Sequence, residues 1–378
     1  MLNMSSANQP IRVLHVFNFF DQGGIENFVM NVYRNIDRSK IQFDFAFPIN
    51  KKGCFDEEVW ELGGNIYFFD SEKKSLWNYY KNLSRIIKTH GPYAVVHSHI
   101  YYFSGYILLI ARLCGVPVRI SHSHETLKGR KQTLGRKLYQ NIMRYLIKMN
   151  ATNWLCCTED AGNVVFKKNI PFQVLYNGID IKRFLYNEEK RLQIRRGIVP
   201  DDGFLVLNVG RFAEQKNHKF IISVFSELVK VRPESHLLLI GAGVLKREIE
   251  LLIERTGLKD KVTILSNIKN TEDYYSASDV FILPSLYEGM GIVVIEAQAS
   301  GLPVLISDKV TREVQVTDII DYLPIENGTE RLWVKKLLDI DVPGSIRDKY
   351  NKTFEMTPFD VRKTVSDLTT TYLSKSEQ

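Results

Sequence analysis

Two carboxylates and two glycines stand close together in residues 285–297, which read Ser285-Leu286-Tyr287-Glu288-Gly289-Met290-Gly291-Ile292-Val293-Val294-Ile295-Glu296-Ala297. The mainly apolar residues 279–284, just before them, predict a short buried strand. Residues 291–300 predict a helix that ends at Gly301. The sequence therefore predicts a strand joined to a helix by a glycine turn.

A turn of this kind is suited to binding phosphate. A helix N-terminus offers unpaired backbone N–H groups and a partial positive charge, and glycines let an anion approach that backbone closely. Glu288 lies in the turn, and Glu296 lies about one and a half turns into the helix, where its carboxylate can accept hydrogen bonds from hydroxyls. A phosphate flanked by two hydroxyl-rich groups describes a sugar nucleotide.

The length and composition indicate a soluble protein of two domains. The chain has 378 residues, of which 44% are hydrophobic and 25% are charged. No apolar run reaches the roughly 18 residues that span a bilayer, and residues 1–10 lack the apolar core of a signal peptide. We therefore expect a cytoplasmic protein. Its four cysteines, which have no metal-binding spacing, are expected to be reduced thiols: Cys54, Cys114, Cys156 and Cys157.

The positive charge lies in the N-terminal half. The net charge is +7, and the first 180 residues carry 22 Lys and Arg against 14 Asp and Glu. Residues 128–148 contain seven basic residues and no acidic one. A helix here would either lie on an anionic membrane surface or pack its apolar side into the core with a solvated basic side, and without a recognition motif nucleic acid is not expected. One helical face would hold Leu134, Leu138, Ile142, Tyr145 and Met149.

The N-terminal half alternates between strand-like and helix-like segments, which predicts a parallel sheet. Residues 11–17 predict its first strand, and residues 25–35 predict an amphipathic helix. Gly23 and Gly24 form the turn between them, with Glu26 in the first helical turn. Taken alone, this segment is more typical of an ordinary strand-to-helix turn than of a binding site.

Histidines follow another predicted strand, at residues 116–121. His122 and His124 stand at its carboxyl end, where ligands collect in open α/β sheets. A zinc site is a weaker alternative, because His97 and His99 would have to converge with these two and the spacing does not demonstrate it.

The second half restarts with a predicted strand at residues 204–209. Arg211 and Lys216 lie between this strand and a helix that contains Phe220 and Ile221. Two cations in such a loop can hold a diphosphate, although a solvated loop is the alternative.

Gly241 and Gly243 follow the next predicted strand, residues 236–240, and suggest a dinucleotide fold as a second interpretation. Lys246 occupies the third position of that glycine fingerprint, and the strand at residues 262–265 is followed by no acidic residue for a ribose. Both departures disfavour NAD.

Taken together, these motifs resemble the retaining GT-B glycosyltransferases of family 4. Glu288 and Glu296 match the family's E-x7-E signature, and Arg211 and Lys216 match its G-R-x4-K donor-phosphate clamp. Further matches are Gly23-Gly24-Ile25-Glu26, Pro284-Ser285, Gly289-x-Gly291 and Gly301-Leu302-Pro303-Val304.

The resemblance covers essentially the whole chain. It implies an α/β protein with two Rossmann-like, doubly wound parallel-sheet domains that face a central cleft. Residues 1–180 would form the acceptor domain, residues 181–357 the nucleotide-sugar donor domain, and residues 358–378 a helix that crosses back to the first domain.

The same resemblance implies a reaction and roles for single residues. The enzyme would transfer a sugar from a nucleotide diphosphate, a UDP-sugar by expectation, with retention and without a metal or another cofactor. Arg211 and Lys216 would stabilise the departing diphosphate, while Glu288 and a histidine at the end of the strand at residues 116–121 would support the sugar. Spacing leaves both His122 and His124 open for this role, and His122 is closer to the family's offset from the preceding proline. The other donor-binding residues would be Gly23, Gly24, Gly241, Gly243, Asn267, Ile268, Gly289, Met290, Gly291, Ile292 and Glu296, of which Glu296 binds the ribose. Candidates for the acceptor site are Glu26, His99 and His124.

Residues 115–124 and 306–333 look like the branch of the family that assembles bacterial exopolysaccharide and capsule. The acceptor would then be a saccharide or a lipid-linked saccharide at the inner face of the cell membrane, with peripheral membrane association. Three alternatives stay open: a nicotinamide-dependent oxidoreductase, a non-catalytic nucleotide-sugar-binding partner, and a GT-B epimerase.

Overall fold

A computed structural model of the chain describes residues 9–18, 24–69, 75–124, 133–167, 170–200, 203–266, 268, 270–340, 344–354 and 357–374. The chain forms two compact units. The first consists of Met1–Gly178 with Val361–Gln378, and the second of Ile179–Asp360.

The first unit is built on a parallel sheet that has seven strands in the described residues. They are β1 (Ile11–Val16), β2 (Ile41–Phe47), β3 (Asn65–Phe68), β4 (Val95–Ser98), β5 (Val118–Ser123), β6 (Asn153–Cys156) and β7 (Gln173–Val174). Helices connect them: α1 (Gly24–Asn35), α2 (Asp56–Glu61), α3 (Leu76–His90), α4 (Ser104–Leu113), α5 (Leu134–Asn150) and α6 (Glu159–Val165). Because helices cover both faces of a parallel sheet, β2 is buried along its whole length.

The second unit repeats this architecture with six strands in its described part. They are β8 (Phe204–Val209), β9 (Ser235–Ile240), β10 (Val262–Leu265), β11 (Val280–Leu283), β12 (Val304–Ser307) and β13 (Ile320–Leu323). Its helices are α7 (Glu188–Arg195), α8 (His218–Val231), α9 (Lys246–Arg255), α10 (Thr271–Ala277), α11 (Ile292–Ala299), α12 (Glu330–Leu338) and α13 (Gly344–Thr353).

The last helix, α14 (Val361–Leu373), belongs to the first unit. Its Leu368 and Tyr372 are buried in the hydrophobic core that includes Phe28 and Val32 of α1. The chain therefore returns to the first unit after completing the second.

Both sheets have the strand order of the dinucleotide-binding fold. The first runs β3-β2-β1-β4-β5-β6-β7 and the second β10-β9-β8-β11-β12-β13. In each, the order reverses between the first and fourth strands of the unit, β1 and β4 or β8 and β11, and ligands of such sheets bind at the carboxyl ends of these strands. The prediction of two doubly wound parallel sheets is confirmed.

One strand is shifted from its predicted position in a way that affects the site. The strand predicted at residues 116–121 begins at Val118 and ends at Ser123. Pro117 has no N–H to donate to the ladder, which favours a start after it. His122 therefore lies inside β5, paired in register with Leu155, rather than after the strand.

Candidate active site

The predicted phosphate loops meet in the second unit. Lys216 follows β8 and Glu288 follows β11, the two strands at which the sheet order reverses. The Lys216 Nζ lies 2.7 Å from Glu288 Oε1, and the two side chains are only 13% and 5% exposed. Residues 72 positions apart thus form a partly buried ion pair at the carboxyl edge of the sheet.

Hydrogen bonds to backbone carbonyls hold the two loops together. The backbone N–H of Leu286 donates to the carbonyl of Gln215 at 2.9 Å, and Gln215 Nε2 donates to the carbonyl of Tyr287 at 2.8 Å. Asn217, in the left-handed region at φ 54°, donates from its side chain to the carbonyl of Pro284 at 3.2 Å. These contacts fix the position of Lys216 relative to Glu288.

Glycines allow the Lys216 side chain to pack closely against the edge of the sheet. The aliphatic part of Lys216 lies over Gly210, where a Cβ would be 3.2 Å from its Cε. A Cβ on Gly241 would lie 2.0 Å from the carbonyl oxygen of Gly210, and Gly243 has φ +156° beside the Phe212 backbone. Only glycine fits at these two positions. Arg211, the second predicted cation, is exposed.

The glycine turn predicted after β11 is present. Gly291 has φ +71° and caps the N-terminus of α11, and a Cβ there would lie 3.7 Å from Glu288 Cγ. Gly289 and Ile292 are partly exposed, whereas Met290 is buried. The amides of the first turn of α11 lack intrahelical partners, so this end of the helix can receive an anion.

Glu296 lies on α11 in an unusual environment. Its Oε2 accepts a hydrogen bond from the Tyr275 hydroxyl at 2.8 Å. Burial raises the pKa of Glu296 to about 7, against the lowering effects of the Tyr275 hydrogen bond and Arg183. The carboxylate is therefore poorly solvated and able to accept further hydrogen bonds from a ligand.

The structure adds a reason against a dinucleotide at Gly241. The glycine fingerprint of that fold follows the first strand of the sheet, which here is β8, whereas Gly241 follows the second, β9. Ser266 Oγ donates to the Gly241 carbonyl at 2.7 Å, so the end of β10 supports this turn. Ile268 lies just beyond this turn. Asn267 and Gly23, which the sequence predicts to bind the donor, fall outside the described residues.

In the first unit, five buried histidines gather at the carboxyl ends of three neighbouring strands. His15 comes from β1, His97 and His99 from β4 and the residue after it, and His122 and His124 from β5 and the residue after it. Burial lowers the pKa of His15 and His124 to about 3. The pKa values of the other three are well below the usual value, from burial and then neighbouring histidines.

The zinc alternative required His97, His99, His122 and His124 to converge, which the spacing alone did not demonstrate, and the structure brings histidines together in two groups of three. Nitrogens of His15, His97 and His99 lie within 4.8 Å of one another, as do those of His99, His122 and His124. Neutral imidazoles of this kind can ligate a transition metal. The closest nitrogen pairs, however, are 3.0–3.2 Å apart, which is the length of an N–H···N hydrogen bond.

The remaining predicted residues of the first unit lie at the start of α1. Gly24 is its first residue, with open space where a Cβ would be, and Glu26 is partly buried in its first turn. The Phe28 ring of the same helix packs edge-on against His122, at 5.4 Å between ring centres. Helix α1 therefore lies over the histidines.

The apolar face predicted at residues 128–148 is exposed to solvent on α5. Leu134 is 86% exposed and Leu138 63%, and the other members of the face, Ile142, Tyr145 and Met149, are about half exposed or more. The helix instead packs through Met143 and Ile147. For this face the core-packed alternative is wrong, and residues 128–132 lie outside the described part. Within the described ranges, none of the helices combines the length and the apolar composition of a membrane-spanning segment.

Sequence reasoning missed several residues that complete these sites. His15 was detectable only through strand pairing, since it stands opposite His97 in the register of β1 and β4. Gln215, Tyr275 and Tyr372 gave no signal, because each contributes through a contact with a distant segment.

Comparisons with known proteins agree with this architecture. Residues 22–183 match the family model described as Glycosyltransferase Family 4, and residues 189–339 match the one described as Glycosyl transferases group 1. The chain is similar to the putative glycosyltransferase EpsF of Bacillus subtilis (strain 168), with 35% identity over 379 residues and 97% of both chains covered. It is also similar to the capsular polysaccharide biosynthesis glycosyltransferase CapH of Staphylococcus aureus, with 26% identity over 97% of this chain and 99% of CapH.

A solved structure has the same fold. HepE of Anabaena, in complex with UDP and glucose, superimposes with a TM-score of 0.79 at 16% identity, over 96% of this chain and 99% of HepE. At that identity the likeness establishes the fold alone, which is GT-B.

Proposed function

Because this chain belongs to the family 4, or group 1, glycosyltransferases, we propose that it transfers a sugar from a UDP-sugar to a hydroxyl of a saccharide acceptor. The transfer retains the anomeric configuration and needs no metal. The observation that carries the proposal is the ion pair of Lys216 with Glu288 at the carboxyl edge where the second sheet reverses its order.

The two cations take the place that a metal has in other phosphate sites. In the free protein, the Lys216 charge is paired with Glu288. When a diphosphate arrives, Lys216 binds it, together with Arg211 and the N-terminal amides of α11, and the carboxylate is released for sugar hydroxyls. Charge that develops on the departing phosphate is thus stabilised without Mg²⁺.

In the reaction the bond between the anomeric carbon and the β-phosphate oxygen breaks. The acceptor oxygen forms the new bond on the same face of the sugar, and its proton passes to the departing phosphate oxygen. No side chain has to act as the general base. Glu288 and His122 support the sugar, and Glu296 accepts hydrogen bonds from the ribose.

Residues of the turns complete the donor site in this proposal. Gly241 and Gly243 approach the nucleotide, Ile268 lines the base, and the turn at residues 289–292 approaches the phosphates and the sugar. The donor-binding roles of Gly23, Gly24 and Asn267 stay predictions from the sequence. Glu26, His99 and His124 serve the acceptor.

The acceptor is proposed to be a lipid-linked saccharide at the inner face of the cell membrane, in the synthesis of a surface polysaccharide. Two observations support this. The exposed apolar residues of α5 lie on a helix that also carries Arg136, Lys137 and Lys148 and no acidic residue, a composition that binds anionic lipid. The name of the relative CapH also refers to a capsular polysaccharide.

Calorimetric titration of UDP, GDP and NAD tests the donor site. We expect UDP to bind wild-type protein and Glu254→Ala, an exposed change on α9 that serves as the control. Glu296→Ala should bind UDP at least about tenfold more weakly, because charged hydrogen bonds to the ribose are lost. The assignment would be refuted if only NAD bound, or if Glu296→Ala bound UDP as tightly as Glu254→Ala does.

Turnover separates an enzyme from a silent binding partner. With UDP-sugars and lipid-linked acceptors, we expect UDP release and a new glycosidic bond whose anomeric configuration, read by NMR, matches the donor. The transfer rate should be the same with and without EDTA. Inversion, or loss of activity that Mg²⁺ restores, would contradict the mechanism, and binding without turnover on any acceptor would favour a non-catalytic partner.

Sedimentation with vesicles tests the membrane surface. Wild-type protein should bind vesicles rich in anionic lipid and release them in high salt. Leu138→Asp with Ile142→Asp should abolish binding, whereas Leu192→Asp, at a leucine that is 50% exposed on α7, should not. Equal binding by all three proteins would show that α5 is not the docking surface.

A further inference from the structure

The buried histidines form two separate hydrogen-bonded chains. In the anchored chain, the Tyr372 hydroxyl lies 2.8 Å from His97 Nδ1, and His97 Nε2 lies 3.2 Å from His122 Nδ1. In the free chain, His15 Nδ1 lies 3.1 Å from His99 Nε2, and His99 Nδ1 lies 3.0 Å from His124 Nε2. The planes of the His97 and His122 rings are nearly parallel, at 11°.

Each ring is neutral, because burial lowers the pKa of all five histidines far below 7. A neutral imidazole has one N–H donor and one acceptor nitrogen. Once the direction of one hydrogen bond in a chain is set, the direction of every other bond follows. The tautomer of every ring in a hydrogen-bonded chain therefore depends on the group that determines the direction of one bond.

In the anchored chain, Tyr372 sets it. Burial raises the pKa of Tyr372 well above its usual value, so the hydroxyl keeps its proton. That hydroxyl has no acceptor other than His97 among the described residues, and a phenol is a better donor to an imidazole nitrogen than the reverse. If His97 donated instead, the buried tyrosine proton would have no partner.

We propose that Tyr372 and His97 are positioning residues that hold His122 in the Nε2–H tautomer, so that His122 presents a fixed hydrogen-bond donor to the sugar substrate. His97 must accept at Nδ1, donate from Nε2 to His122 Nδ1, and leave the proton of His122 on Nε2. His122 is 1% exposed and its Nε2 has no partner among the described residues. The role toward substrate rests on the proposed function, whereas the tautomer itself does not.

The free chain has no anchor. His15 Nε2 and His124 Nδ1, its two ends, both lack a partner in the part of the chain that the structure describes. It can run in either direction, so His124 Nδ1 donates in one state and accepts in the other. A sugar hydroxyl, which both donates and accepts, can be matched by one fixed donor on His122 and one adaptable nitrogen on His124.

Two-bond ¹H–¹⁵N NMR of ligand-free protein reads the tautomers directly. The chain has eight histidines, and the signals of His122 and His97 are assigned by their loss in single His→Gln variants. We expect both rings to be Nε2–H by at least about tenfold in the wild type, because the other direction leaves a buried donor unpaired. In Tyr372→Phe this preference should collapse toward a mixture.

Matched variants distinguish a role in fixing the His122 tautomer from a role in protein stability alone. Tyr33→Phe removes another fully buried tyrosine hydroxyl of the same core, one that donates to the Leu62 carbonyl, and should leave the tautomers unchanged. His97→Gln keeps an amide N–H for His122 and should preserve its Nε2–H form, whereas His97→Leu should lose it. In turnover assays Tyr372→Phe and His97→Leu should lower kcat more than they change UDP affinity, and His97→Gln should restore most of the rate.

Three results would overturn the proposal. His122 could be found as the Nδ1–H tautomer in the wild type, or Tyr372→Phe could leave it as pure Nε2–H. Stoichiometric binding of Zn²⁺ or Co²⁺ that abolishes the N–H signals would mean that the rings are metal ligands rather than a hydrogen-bonded chain. Failure of UDP binding would leave the tautomer result standing, so the two proposals fail separately.

Discussion

Replacing Glu296 with glutamine should make the protein more stable at neutral pH and weaker in binding UDP. The pKa of this carboxyl is about 7 in the folded protein, against an ordinary value of 4.5, mainly because of burial. The folded protein therefore holds the Glu296 proton more tightly than the unfolded chain does. Stability from this group is fully present below about pH 4.5 and is lost as the pH rises through 7.

The magnitude follows from the shift. The pKa differs by about 2.5 units between the folded and unfolded protein. At roughly 1.4 kcal/mol per unit, the ionised carboxylate lowers the free energy of unfolding by about 3 kcal/mol at pH 8. Glutamine keeps an oxygen acceptor for the Tyr275 hydroxyl but carries no charge. The variant should therefore be more stable than the wild type by up to about 3 kcal/mol at pH 8, and by less than about 1 kcal/mol at pH 5.

Denaturant melts at pH 5 and pH 8 test the stability effect, and calorimetry tests UDP binding over pH 6–8. The ionised fraction of Glu296 rises from about a tenth to about nine tenths over that range, so UDP affinity for the wild type should rise about tenfold more than for the variant. Comparing the two proteins cancels the titration of the UDP phosphate itself, whose pKa is near 6. A stability difference that is the same at both pH values, or a constant ratio of affinities, would refute the reasoning.

Three further outcomes follow from the same geometry. Lys216→Met should weaken UDP binding by roughly 10- to 100-fold and destabilise the protein by about 3 kcal/mol, because the buried Glu288 carboxylate loses its cationic partner. Adding Glu288→Gln should restore stability but not UDP binding, and recovery of both would refute the phosphate role of Lys216. Gly241→Ala should cost about 3 kcal/mol or more in a denaturant melt, since its Cβ would lie 2.0 Å from a backbone oxygen, whereas Gly197→Ala, with no atom nearer than 4.0 Å, should be close to neutral. Arg347→Met should lower the free energy of unfolding by about 3–5 kcal/mol, because this buried guanidinium donates to the carbonyls of Tyr275, Ser276, Ser278 and Ser300; a change below about 1 kcal/mol would show that water replaces those bonds.

Local patterns were sufficient for the sheet elements and for the residues beside them. The apolar run before Gly210 predicted β8, and the glycine turn after Pro284 predicted the start of α11. Arg211, Lys216 and Glu288 were correctly placed between a strand and the α-helix that follows it, because strand and helix periodicities are properties of adjacent residues. The start of β5 was misplaced by two residues, where Pro117 interrupts the ladder.

The exposed apolar face of α5 shows what a local sequence pattern does not predict. The helical spacing of Leu134, Leu138 and Ile142 predicts that they share a face, and they do, but spacing does not reveal whether that face meets a sheet or solvent. Burial depends on what the rest of the chain places opposite the helix. The same spacing would fit either outcome.

The sequence by itself determined that this protein has two parallel α/β units with charged, glycine-rich loops after β8 and β11, because those features are written in neighbouring residues. Only the tertiary structure brought Lys216 to Glu288, added His15 to the other histidines and placed Tyr372 of the last helix against His97. These contacts join residues that are 72 to 275 positions apart. Strand order and the return of α14 set them, and neither leaves a periodic signal in the chain.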